Sequence, residues 1–113
     1  MMKPILIVED DPMIAMDLEA IAGDAGAVPV CCGSLRDAMR AADRADYALA
    51  LLDINLPDGT TFALARQLDA RGVPVLFISA IRKSEIPAEL SAARLLPKPY
   101  RAAEVRAVIS AAT

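Results

Sequence analysis

The chain contains no histidine and no tryptophan. Without histidine it cannot build a Ser-His-Asp triad, an imidazole-ligated zinc site or a phosphohistidine of its own. Chemistry that needs an imidazole must take it from a partner. Aromatic residues make up only 4% of the chain, so the core must be aliphatic and the helices closely packed. The two cysteines are neighbours, Cys31 and Cys32. Adjacent residues on a strand point to opposite faces, which disfavours a bond between them. Reduced thiols, and hence a cytoplasmic location, are expected. No apolar run approaches the ~18 residues that a membrane span needs. The opening Met1-Met2-Lys3-Pro4-Ile5 lacks the apolar stretch and cleavage site of a secretory leader. Net charge is −3, and no cluster of lysine and arginine marks a basic face. Neither nucleic acid nor membrane is therefore an expected partner.

The 113 residues are 56% hydrophobic and 24% charged. That composition excludes a disordered tail and fits one domain over residues 1–113. Two textures alternate along it. Ile5-Leu6-Ile7-Val8 is a continuous apolar run, as in a strand buried on both faces. Asp11-Pro12 then supplies a helix N-cap and a first helical residue. Ile14, Leu18 and Ile21 recur at helical spacing until a stop at Gly23–Gly26. Residues 27–31 read as a second strand, placed at a sheet edge by Pro29. Ser34 caps a second helix bearing Leu35, Ala38, Met39 and Ala42. Tyr47–Leu52 is a third strand. Asp58-Gly59 reads as a turn, and Thr60 or Thr61 opens a third helix that ends at Gly72. Pro74–Ile78 is a fourth strand. Residues 81–92 are weakly helical around Pro87, and Arg94–Leu96 is a short fifth strand. Residues 101–112 form a last amphipathic helix. Met13, Met16 and Met39 are expected to fill the core.

Strands and helices alternating at this spacing predict right-handed βαβ units, a parallel sheet and a three-layer α/β sandwich. Ligands in such folds bind beyond the carboxyl ends of the strands. Glu9, Asp10 and Asp11 follow strand one, Asp53 follows strand three, Ser79 strand four and Lys98 strand five. Glu9, Asp10 and Asp53 should therefore share a pocket, with Lys98 and Ser79 at its rim. Each residue alone has a plainer explanation: a solvated strand end, a helix cap, a turn. It is their coincidence at one sheet edge that points to a site. Clustered carboxylates need neutralising. Few oxygen ligands plus water suit Mg²⁺, and no nitrogen or thiolate set exists for zinc or copper.

Four stretches, Ile5–Pro12 (ILIVEDDP), Leu51–Gly59 (LLDINLPDG), Pro74–Ala80 (PVLFISA) and Leu96–Tyr100 (LPKPY), together resemble the receiver domain of bacterial two-component response regulators. The resemblance covers essentially the whole chain. It implies a flavodoxin-like fold with strand order 2-1-3-4-5. It implies that Asp53 is the phosphoacceptor, Asp10 a direct Mg²⁺ ligand, Glu9 a ligand through water, and the Asn55 carbonyl a further ligand. Ser79 becomes the switch hydroxyl and Lys98 the phosphoryl partner, with a cis bond to Pro99. The implied partner is a histidine kinase or histidine phosphotransfer protein.

Two features depart from that pattern. Leu95 stands three residues before the lysine, where an aromatic residue is usual. The stretch from Ser79 to Lys98 is short and holds Pro87, so a fourth helix must be brief, displaced or partly unwound. Ser84–Leu90 resembles in part a receiver subgroup of alphaproteobacterial stress signalling, with Phe77-Ile78-Ser79 in place of its Phe-Ala-Thr motif. The expectation is a stand-alone receiver with no output domain after Thr113. It would catalyse its own aspartyl phosphorylation and dephosphorylation without turning over an external substrate. The rival is a receiver-fold module that binds its partner without phosphorylation. A small phosphatase is disfavoured, because Asn55 stands where such enzymes carry a second acid.

Overall fold

A computed structural model describes residues 3–113. Met1 and Met2, which begin the stretch read for a leader, lie outside them. Five strands form one parallel sheet: β1 (Ile5–Val8), β2 (Pro29–Cys32), β3 (Leu49–Leu52), β6 (Val75–Ser79) and β7 (Arg94–Pro97). Their order is β2-β1-β3-β6-β7. Counted without the short hairpin strands described below, this is the expected 2-1-3-4-5. Pro29 lies on the edge strand β2, where its missing N–H removes no central bond.

Alternation along the strands builds two cores. Ile5, Ile7, Leu49, Leu51, Leu76 and Ile78 face α1 (Pro12–Asp24) and α4 (Ala102–Ala112), against Leu18, Ile21, Val105 and Ile109. Leu6, Val8, Ala50, Leu52 and Phe77 face α2 (Leu35–Ala42) and α3 (Phe62–Ala70). Both faces being covered, β1 and β3 are buried at every position. Phe62 meets Phe77 edge to face, with ring centroids 6.0 Å apart.

The helix starts follow their caps. Asp11 accepts the N–H groups of Met13 at 2.9 Å and Ile14 at 3.4 Å. Ser34 Oγ accepts from Asp37 N at 3.2 Å. Thr61 occupies the cap position of α3 but makes no cap bond there. Its hydroxyl is committed elsewhere, as the site shows.

Two expectations are corrected, and two stretches take a form the sequence left open. The third strand begins at Leu49 rather than Tyr47; Tyr47 is buried in the preceding loop and its hydroxyl donates to Ala41 O at 2.7 Å. Met13 and Met16 are not core residues: they are 81% and 72% exposed. They lie on α1 beside the buried stripe of Leu18 and Ile21, not within it. Met39 does pack against the core. The loop after β3 holds a small antiparallel hairpin, β4 (Asn55–Leu56) with β5 (Gly59–Thr60). Residues 81–92, expected to be weakly helical and partly unwound, form two 3₁₀ turns, Lys83–Glu85 and Ala88–Leu90, on either side of Pro87. Proline lacks the donor that an α-helical ladder would need there. Ile86 and Leu90 are nevertheless buried and extend the second core. Leu95 packs on that same core.

Candidate functional site

Backbone bonds stitch the carboxyl ends of the strands together. Asp53 N donates to Val8 O at 2.9 Å, Glu9 N to Cys32 O at 3.0 Å, and Lys98 N to Ser79 O at 3.1 Å. These bonds fix where the side chains that follow each strand emerge. Glu9, Asp10 and Asp53 accordingly gather with one carboxylate oxygen of each within 4.8 Å of the others. The Lys98 ammonium reaches across the sheet edge to Glu9 Oε1 at 2.8 Å and to Asp53 Oδ2 at 3.5 Å.

The burial is graded. The Glu9 side chain is 1% exposed, Asp53 13% and Lys98 23%, while Asp10 is open to solvent. Glu9 Oε2 is buried with no hydrogen-bond partner. The Glu9 carboxyl is pushed up to about 7, first by burial and then by contact with the Asp53 carboxyl, with the Lys98 ammonium pulling the other way. Burial alone would lower the Lys98 ammonium, but its bond to Glu9 and the Asp53 charge prevail and raise it. Three acids against one ammonium leave the pocket short of positive charge. An orphaned buried oxygen beside an exposed aspartate and a largely buried one suits a hard divalent cation with oxygen ligands and water.

Asp53 is held by its own loop. Its Oδ1 accepts from Ile54 N at 2.8 Å, and its carbonyl accepts the Thr61 hydroxyl at 2.7 Å. Thr61 is fully buried, and its N–H donates to Ile54 O at 2.9 Å. The residue read from sequence as a helix cap is thus a brace behind Asp53. The reading of Asp58-Gly59 as no more than a turn also needs correcting. Gly59 takes φ +142° at the hairpin, and a Cβ there would stand 3.0 Å from Leu35 Cδ2. Asp58 reaches α2, which leaves the loop after Asp53 fastened at both sides.

The other sequence-predicted residues take separate places. Ser79 ends β6 on the same edge, but it is buried rather than at the rim, and its Oγ accepts from Ile81 N at 3.4 Å. Asn55 lies exposed on β4, paired with Thr60. The Lys98-Pro99 peptide is cis. Beyond it the Tyr100 hydroxyl donates to Asp17 of α1, a contact the sequence reading missed because the two residues stand 83 apart.

The family described as the response regulator receiver domain matches residues 5–110. The chain is 38% identical over 117 residues to the phyllosphere-induced regulator PhyR of Methylorubrum extorquens, covering 99% of this chain and 44% of PhyR. It is 35% identical over 115 residues to the sensory transduction protein RegX3 of Mycolicibacterium smegmatis, covering 97% of this chain and 50% of RegX3. The chain thus spans half or less of the length of these curated relatives. Its fold is similar to that of a CheY-like response regulator receiver domain protein from Methanospirillum hungatei, with a TM-score of 0.88 and 22% identity, covering 98% of this chain and 93% of that one.

Proposed function

Because the chain belongs to the response regulator receiver domain family, we propose that it is a phosphoacceptor switch or phosphorelay intermediate that takes a phosphoryl group onto Asp53. The observation that carries this reading is the Asp53 carboxylate, set between the acids Glu9 and Asp10 and the Lys98 ammonium at 3.5 Å. The donor is a phosphohistidine on a histidine kinase or histidine phosphotransfer protein, which supplies the imidazole this sequence lacks. An Asp53 oxygen attacks phosphorus, the P–N bond breaks, and the leaving imidazole takes a proton from solvent. Lys98 leaves Glu9 for a phosphoryl oxygen, and the Ser79 hydroxyl leaves Ile81 N to bind another. Water later attacks phosphorus and releases phosphate, restoring the carboxylate. The chain thus promotes its own phosphorylation and dephosphorylation and turns over no external substrate.

Mg²⁺, held by Asp10, Asp53, the Asn55 carbonyl and, through water, Glu9, would neutralise the phosphoryl oxygens as they approach. The orphaned Glu9 Oε2 supports that donor set. Exposed Met13 and Met16 give α1 an apolar surface on which a helical phosphodonor can dock. Among the described residues no helix is long and apolar enough to cross a membrane. We place the protein in the cytoplasm, with a protein as its downstream partner and neither nucleic acid nor membrane.

Incubation with acetyl phosphate and Mg²⁺ should yield an acid-stable, base-labile phosphoprotein. Labelling of Asp53→Asn as strong as that of wild type would disprove the assignment. Leu95 favours a second reading, since an aliphatic side chain cannot supply a tyrosine's hydrogen bond: a module whose partner binding ignores phosphorylation. Partner affinity unchanged by beryllofluoride would select that reading.

A further inference from the structure

We infer that Tyr100 is a positioning residue for Lys98: its bond to Asp17 ties the segment after β7 to α1 and keeps the Lys98 ammonium over the Asp53 pocket. The inference rests on the phosphoacceptor reading above. Two cross-links join the same two stretches of chain. One is Lys98 Nζ to Glu9 Oε1 at 2.8 Å. The other is Tyr100 to Asp17. Asp17 lies about one and a half turns along α1, which starts two residues past Asp10, so the helix that follows the acid pair also carries the second link.

The first link is temporary by its chemistry. Glu9 is the carboxylate nearest to Lys98, and it also belongs to the acid cluster that suits a cation. A cation there, or a phosphoryl group on Asp53, draws the ammonium and the carboxylate apart. Lysine is a flexible four-carbon stem with many rotamers; on the inner side its backbone N–H bond to Ser79 O then remains, and its ammonium keeps only the looser contact with Asp53, now at 3.5 Å, or with the group Asp53 carries. On the outer side an open cleft of about 470 Å³, lined by Ile14, Asp17, Lys98, Pro99, Tyr100 and Ala102, separates α1 from this segment. Packing alone does not close that cleft. The phenol bridges it, while the Tyr100 ring rests on the α1–α4 core. Neither the Asp17 carboxylate nor the Tyr100 hydroxyl has another hydrogen-bond partner among the described residues. The bond's effect therefore falls on the position of residues 98–100.

The test uses the whole chain, acetyl phosphate and Mg²⁺. Tyr100→Phe keeps the ring and removes the donor. Asp17→Ala removes the acceptor, and Asp17→Asn keeps an oxygen that can accept the phenol. Tyr100→Phe and Asp17→Ala should each slow phosphorylation about tenfold, a modest share of what misplacing a reacting group can cost. The double variant should be no slower than either single variant, and Asp17→Asn should restore most of the rate. Mg²⁺ affinity by calorimetry should stay at the wild-type value, which a general loosening of the site would not allow. A wild-type rate in Tyr100→Phe, additive losses in the double variant, failure of Asp17→Asn to rescue, or a parallel loss of Mg²⁺ affinity would each overturn the positioning role. Wild type that takes no label on Asp53 would instead end the phosphoacceptor reading, and this inference with it.

Discussion

The Asp58 carboxylate accepts the backbone N–H of Leu35 at 2.9 Å across 23 residues of sequence. Its other oxygen takes the Arg36 N–H at 3.0 Å. Helix α2 is thus capped twice, by Ser34 just before it and by the tip of the hairpin that follows β3. Free N–H groups at a helix start carry partial positive charge, so an anion is well placed there.

That placement has a pH signature. The N–H groups of Leu35 and then Arg36 hold the Asp58 carboxyl below its ordinary value of 3.8. A carboxyl lowered by folding stabilises the fold fully above its unfolded value, and the contribution fades as pH falls through the lower folded value. Asp58→Ala should therefore unfold at lower urea than wild type at pH 7, and the gap should narrow in acid below about pH 4. Urea titrations at both pH values check it. A gap that widened in acid would contradict the cap.

Thr61 offers a sharper stability test. Its buried hydroxyl is the partner of the Asp53 carbonyl at 2.7 Å. Thr61→Val keeps the shape and leaves that carbonyl unpaired, at a cost of roughly 1–3 kcal/mol. Thr61→Ser should recover most of the loss in urea unfolding. The valine variant should also take label from acetyl phosphate more slowly, because Asp53 loses its brace.

Cys31 should be a poor nucleophile although it is exposed on the edge strand. Its surroundings desolvate the sulphur, and its S–H donates to Glu19 at 3.2 Å; together these push the thiol up to about 12. The thiolate is the reactive form, so at pH 8 Cys31 holds about a thousandfold less of it than an ordinary thiol. Iodoacetamide should modify it slowly, and Glu19→Gln should speed the reaction. Mass spectrometry of the alkylated peptide reads both.

Much of this architecture was legible in the sequence because it follows from short-range rules. Four-residue apolar runs mark strands buried on both faces, and Pro29 marks the edge. A parallel sheet then brings Glu9, Asp10, Asp53, Ser79 and Lys98 to one end without further information. The contacts that escaped are those in which a side chain serves a distant element. Asp58 looks like a turn residue until α2 arrives beside it, Thr61 looks like a cap until β3 presents its carbonyl, and Tyr100 needs α1. Residue type alone places Met13 and Met16 in the core, but the periodicity of Ile14, Leu18 and Ile21 sets the buried stripe and leaves them outside it. The hairpin of Asn55–Leu56 and Gly59–Thr60 is too short to leave a pattern. At Pro87 the sequence showed that a helix would fail but not what would replace it.

The replacement has a mechanical consequence. An α-helix moves as a rod, because every turn is bonded to the next. Residues 83–90 are instead two separate turns with an apolar peg behind each, Ile86 just after the first and Leu90 at the end of the second, both buried. With no hydrogen-bond ladder between the two turns, each is anchored through its own peg and not through its neighbour.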